Sequence, residues 1–332
     1  MDNVILAQDT AGAQFEEFWT DERFPSYDAE RQLIEAVQAG DLALATMIVE
    51  SQDVEMNAFV PLTSSERPVW SRRRHKIMYE SPHLAVAAKQ DDLPMCEFLL
   101  MHGCDVNRSD NDQITPLMFA CAKGFDTIVK LLTEQRDIDM DLQDHLGRTA
   151  LYHAADHGED EVVSLLIVND ADCNIVGPNG RTVLITAAAR GHLQIIKFLV
   201  SQEVPVDVID ERGMAPLHHA VFGGHMAVMA YLVNLEGVDI HIGDSQGRTP
   251  FFLACRGGQI SMARMLMEKG VKVTGHDVSY SGFRPIDAAR EHVVRGKPSV
   301  YDDIVKMITD KISSDKGVDQ RDKNKMKLLA EF

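Results

Sequence analysis

Aromatic side chains are scarce in this chain. Phe, Trp and Tyr make up 6% of 332 residues, although 45% are hydrophobic. Large rings usually dominate a wide core, so Ala and the 16 Met are expected to supply the packing here, in thin helices. Long apolar runs are missing as well. No stretch reaches 18 residues, so no membrane-crossing helix, and no membrane insertion, is expected. The opening Met1-Asp2-Asn3-Val4-Ile5-Leu6 lacks a basic region, so no secretory signal is expected. The five cysteines, Cys96, Cys104, Cys121, Cys173 and Cys255, show no paired spacing, which suits small buried thiols in a reducing compartment. A cytoplasmic, or alternatively nuclear, location is the expectation.

The common signatures of chemistry are missing too. There is no Gly-x-x-x-x-Gly-Lys-Ser/Thr loop and no Gly-x-Gly-x-x-Gly turn to cradle phosphates. Gly-x-Ser-x-Gly, Cys-x-x-Cys and His-Glu-x-x-His do not occur either. The best metal candidate is His153-Ala154-Ala155-Asp156-His157, whose i, i+4 imidazoles share one helix face. It falls inside the first helix of a repeat, with His157 in an exposed column next to the glycine break, so an ordinary surface role is expected. Cys96, His102 and Cys104 are close in sequence, but Cys96 should point into a helix core. Neither metal nor cofactor is expected.

What the chain does have is self-similarity. Gly147-Arg148-Thr149-Ala150-Leu151 aligns with Gly180-Arg181-Thr182-Val183-Leu184, with Gly213-Met214-Ala215-Pro216-Leu217 and with Gly247-Arg248-Thr249-Pro250-Phe251. The steps along the threonine column are 33, 33 and 34 residues. Each block continues with small residues such as Ala154-Ala155 or Ala187-Ala188, then Gly, then a second apolar pattern such as Ile195-Ile196-Phe198-Leu199. A period of this length with two short helical patterns marks a stacked array, because one helix pair cannot bury its apolar face alone. A threonine hydroxyl at the helix start can accept an orphan N–H, and Pro216 or Pro250 fits the first turn. Gly158, Gly191, Gly224 and Gly258 are expected to end the first helix in the left-handed conformation.

The pattern resembles the ankyrin repeat, with its Gly-x-Thr-Pro-Leu-His opening, Gly-His helix break and closing Asp-x-Asn. The resemblance covers about residues 29–312 and implies an all-α fold, an ankyrin-type helical solenoid of about eight helix-turn-helix repeats with short β-turn tips. His218 falls in the family's histidine column, where an imidazole binds nearby loop groups. The less regular units are a divergent first repeat at 29–50, one at His83–Asp110 with His83 in the threonine column and Asp92 in the glycine column, and a last one starting at Phe283.

Three segments fall outside the period. Residues 1–28 form an N-terminal cap or flexible segment with the acidic aromatic cluster Phe15-Glu16-Glu17-Phe18-Trp19. Phe59–Tyr79 is an inserted loop carrying Trp70 and Arg72-Arg73-Arg74-His75-Lys76, which reads as an import signal, an anionic contact or a solvated loop. Residues 313–332 form a charged tail. The net charge of −18 disfavours nucleic acid as a partner unless a basic face is segregated.

The resemblance implies a protein-binding module, an adaptor or regulatory subunit without enzymatic activity, contacting its partner through turn tips and the open side of the first helix. Carried over, the tips are Asn111, Asp112 and Ile114; His145, Leu146 and Arg148; Pro178, Asn179 and Arg181; Glu211, Arg212 and Met214; Ser245, Gln246 and Arg248. The helix-face positions are Lys123, His157, Arg190, Phe222 and Arg256. Seven of these are Arg or Lys, which suits an acidic or phosphorylated segment of another protein. The alternative is an inhibitor or host-directed module in which the 59–79 insertion, through Trp70 and Arg73, blocks a partner's site.

Overall fold

A computed structural model describes residues 28–57, 82–271, 284–294 and 298–314. The N-terminal segment 1–27, the Phe59–Tyr79 insertion with Trp70 and Arg73, and the tail beyond 314 lie outside the described residues. Within them the fold is all-α: sixteen α-helices in eight consecutive pairs, without a strand. They fall into two compact units, divided after Asn111.

The first unit holds α1 (Asp28–Ala39), α2 (Leu42–Ser51), α3 (His83–Lys89) and α4 (Leu93–Met101). α1 packs on α2 and α3, and α3 on α4, around Leu33, Ile34, Val37, Ile48, Leu84, Met95 and Leu99. Asp41 and Asp92 start the second helix of each pair by accepting the Leu44 and Met95 N–H groups at 2.9 and 3.1 Å. The register differs by one from the sequence expectation. Pro82, not His83, stands in the threonine column, and Asp91 (φ 61°), not Asp92, makes the left-handed break. A buried His83 is the first helical residue instead.

The second unit contains six pairs: α5 (Pro116–Lys123) with α6 (Asp126–Thr133), α7 (Ala150–His157) with α8 (Asp160–Val168), and α9 (Val183–Arg190) with α10 (Leu193–Ser201). They are followed by α11 (Pro216–Phe222) with α12 (Met226–Leu232), α13 (Pro250–Arg256) with α14 (Ile260–Glu268), and α15 (Pro285–Val294) with α16 (Pro298–Ser314). First helices pack on first helices and second on second, making two layers. Thr115, Thr149, Thr182 and Thr249 each accept an N–H three residues on, at 3.3, 3.1, 3.4 and 3.2 Å. Ala120, Ala154, Ala187, Ala220 and Ala254 are fully buried between first helices, where a larger side chain would force them apart. Leu132, Leu166, Leu199, Leu232 and Leu266 fill the second layer, also with no exposure. Replacing one of these leucines by Ala would cost about 2–5 kcal/mol.

In the second unit the left-handed helix breaks are glycines, and at two of them a neighbouring ring leaves no room for a side chain. Gly158 and Gly191 have φ of 85° and 86°, and the next repeat's imidazole lies over each. A β-carbon at 191 would sit 2.4 Å from His225, whose Nε2 donates to the Ala189 carbonyl at 2.9 Å. α11 and α13 end one residue early, so Gly223 and Gly257 precede the left-handed Gly224 and Gly258.

Candidate protein-binding face

The tips of the second unit are held from inside by buried aspartates. Asp144 Oδ1 accepts the Leu146 and Arg148 N–H groups, both at 2.9 Å. Its Oδ2 accepts Arg148 Nε at 2.8 Å and His153 Nε2 at 3.0 Å. Asp244 repeats the arrangement with the Gln246 and Arg248 N–H groups and with Arg248 Nε at 2.7 Å. Asp210 takes the Arg212 and Met214 N–H groups and His219 Nε2, the last at 2.9 Å. Burial alone would raise these carboxyls, but the backbone and side-chain donors outweigh it and hold all three below the ordinary value. Adjacent tips are also laced: the His145, Glu211 and Ser245 N–H groups donate to Asp112, Asn179 and Arg212 carbonyls at 3.1, 3.0 and 2.8 Å. Pro178 has no N–H to give, and there Gln143 Nε2 reaches the Val176 carbonyl at 3.2 Å.

One tip departs from the column and its neighbour makes up the difference. Gly177 stands where Asp144, Asp210 and Asp244 stand, because a β-carbon there would lie 2.8 Å from the Tyr152 ring. Arg181 therefore has no aspartate four residues before it. Asp210, one tip on, has Met214 where an arginine is expected. Arg181 Nε, buried and without a hydrogen bond among the described residues, approaches Asp210 Oδ2 to 4.0 Å, so the cation of one tip faces the carboxylate of the next.

Several sequence expectations change here. Met214, expected as an open tip residue, is only 6% exposed and packs inside its tip, so it offers almost no surface to a partner. Arg148, Arg248 and Arg190 are ion-paired within the fold, the last to Asp156 at 2.7 and 2.9 Å, so they are not free cations. Among the described residues, Lys123, Arg212 and Arg256 are exposed without a carboxylate partner, and Arg181 is half-buried. Asn111 and Ile114 are half-buried; Asp112, Leu146, Asn179, Glu211 and Gln246 are exposed, as is His145, whose Nδ1 lies 3.0 Å from the Asp112 carbonyl. The helix-face set is two columns rather than one. Lys123, His157 and Arg190 stand one place later in their helices than Phe222 and Arg256. Sequence reasoning missed Val176 and Ile209, equivalent residues just before adjacent tips, 52% and 55% exposed. An apolar residue repeated at the 33-residue step was the available signal.

The histidines have internal work. His153 Nε2 faces Asp144, and His157 Nδ1 faces the His153 carbonyl at 2.8 Å, so the two rings do not converge. His218 Nδ1 accepts the Ala215 N–H at 3.1 Å and its Nε2 donates to the Arg248 carbonyl at 3.0 Å, as the histidine column implies. Ala215 lacks a capping hydroxyl, and His218 provides the reciprocal half of a capping box instead. In the first unit, Cys96 and Cys104 are buried, and burial pushes both thiols up to about 12. His102 Nδ1 faces the Phe98 carbonyl at 2.8 Å.

This paired-helix frame with Thr caps, left-handed Gly breaks and Asp-bound tips is matched by a family model described as ankyrin repeats, in three copies over residues 84–177, 162–244 and 184–277. The chain belongs to the ankyrin repeat family. Ankyrin repeats generally mediate protein–protein interaction. Among curated proteins the chain is similar to human Rabankyrin-5, 29% identical over 129 residues, 38% of this chain and 10% of that protein. It is also similar to pig NF-kappa-B inhibitor alpha, 35% identical over 97 residues, 28% of this chain and 30% of that protein. Putative glutaminase 2 of Caenorhabditis elegans is 38% identical over 79 residues, 24% of this chain and 13% of that protein. The chain thus spans between a tenth and three tenths of the length of these relatives.

Proposed function

We propose that this ankyrin protein is a non-catalytic binding module, an adaptor or regulatory subunit, that holds a segment of another protein against the tips and first helices of its second unit. The observation that carries this is the division of labour among its cations. Arg148 and Arg248 are tied to buried aspartates, whereas Lys123, Arg212 and Arg256 project from the same frame with no internal partner among the described residues. A rigid frame carrying uncompensated charge and exposed apolar tips at Leu146, Val176 and Ile209 favours a polypeptide with carboxylate or phosphate groups between apolar residues. The five described thiols, all free and buried, support a cytoplasmic or nuclear setting.

Cross-linking pull-down from the native cell identifies the partner, and charge reversal then separates the two classes of arginine. Arg212→Glu is expected to weaken partner binding at least about tenfold with an unchanged thermal midpoint. Arg148→Glu is expected to lower the midpoint instead, since it leaves Asp144 facing a second carboxylate. Unchanged affinity in Arg212→Glu removes the acidic-partner reading.

A further inference from the structure

The last turns of the first helices meet across each seam of the second unit. Asp156 of α7 and Arg190 of α9 show how: the guanidinium reaches the preceding helix in a two-point ion pair. One repeat on, the same two places hold Ala189 and Gly223. A β-carbon at 223 would lie 3.2 Å from the Ala189 carbonyl oxygen and 2.5 Å from the His225 ring, so no side chain fits there. One repeat further, the two places hold Phe222 and Gly257. Phe222 therefore has no opposing side chain at the seam, and it is 73% exposed. The early ends of α11 and α13 leave exposed glycine backbone near it at Gly223, Gly224 and Gly257, while the Tyr301 ring covers Gly258. Arg256 occupies the next equivalent place, exposed and without a carboxylate partner among the described residues, while Arg190 is already neutralised by Asp156.

Resting on the protein-binding reading above, we propose that Phe222 and Arg256 form the anchor point for an extended segment of another protein that carries an apolar side chain beside a carboxylate. The apolar side chain packs on the exposed face of the Phe222 ring, opposite which Gly257 places no side chain. The carboxylate pairs with the Arg256 guanidinium, whose fork takes both oxygens. Phenylalanine and arginine are both enriched at protein interfaces relative to the rest of the surface.

The test uses the full chain and a phage-displayed library of random peptides. The wild-type protein is expected to enrich peptides with Leu, Phe or Trp within two residues of Asp or Glu. A selected peptide, synthesised with a fluorescein label, is expected to bind Phe222→Ala and Phe222→Gln at least about tenfold more weakly by anisotropy. Arg256→Glu is expected to enrich Lys or Arg where the wild type enriched an acid. Circular dichroism melts check that each variant is folded. Unchanged affinity in both Phe222 variants, or continued selection of acids by Arg256→Glu, overturns the proposal. Peptides lost on Arg212→Glu but indifferent to Phe222 and Arg256 place binding at the tips, so the anchor falls and the module reading stands. If the wild type enriches no sequence at all, both fall.

Discussion

At the scale of single residues, the tips show how one steric exclusion spreads. Tyr152 occupies the space that a side chain at 177 would need; the missing aspartate leaves Arg181 without a local partner, and it turns to Asp210. This makes Arg181 and Met214 energetically coupled. Met214→Arg gives Asp210 an arginine four residues on, as Arg148 and Arg248 give Asp144 and Asp244. Arg181→Gln should then cost less stability in the Met214→Arg background than in the wild type. A double-mutant cycle by urea unfolding is expected to return a coupling of about 1 kcal/mol, and additivity would mean that Arg181 contributes nothing to the Asp210 tip.

At the scale of helices, capping and register decide most of what is seen. Thr149, Thr182 and Thr249 cap their helices through the hydroxyl, while α11 starts from Ala215 with only the His218 half of the exchange. Ala215→Thr is expected to stabilise the protein by roughly 0.5–1 kcal/mol and Thr182→Ala to destabilise it by about 1 kcal/mol, both read as shifts of the urea midpoint at constant slope. Much of this level was legible in the sequence. The 33-residue step, the small residues between first helices and the glycine breaks located eight helix pairs, because each feature follows from backbone chemistry local to its own repeat. What was not legible depends on neighbours. The expected places of His83 and Asp92 were one residue late, since Pro82 and Asp91 do the work of Thr and Gly without resembling them. Phe222 and Arg256 were grouped with Lys123, His157 and Arg190 because each precedes a glycine, yet the double glycines shorten α11 and α13 by a residue. The free cations were overcounted for a similar reason: Arg190 is neutralised by Asp156, 34 residues away, a pairing with no local signature.

At the scale of the whole molecule, acid sensitivity follows from buried imidazoles. His83, His153, His218 and His219 all titrate below the ordinary value, chiefly because burial disfavours the charged ring. Below the ordinary imidazole value of about 6.5, the unfolded chain therefore binds protons that the folded chain does not, and stability is lost as pH falls through that point. The depressed carboxyls of Asp144, Asp210 and Asp244 add a second loss at lower pH, beginning below about 4. Thermal midpoints recorded from pH 8 to pH 4 should fall in the lower half of that range. His219→Gln should flatten the upper step, since its amide can still donate to Asp210 but takes up no proton; a curve unchanged by this variant would assign the step to other groups.

Repeat proteins invite cut-and-paste engineering, with blocks deleted, duplicated or shuffled as interchangeable cassettes. The loan of Arg181 to its neighbour's carboxylate restricts that freedom here. A block cut between 181 and 210 would part the Arg181 guanidinium from the Asp210 carboxylate and the Asn179 carbonyl from the Glu211 N–H, so this seam is a poor place to cut the array.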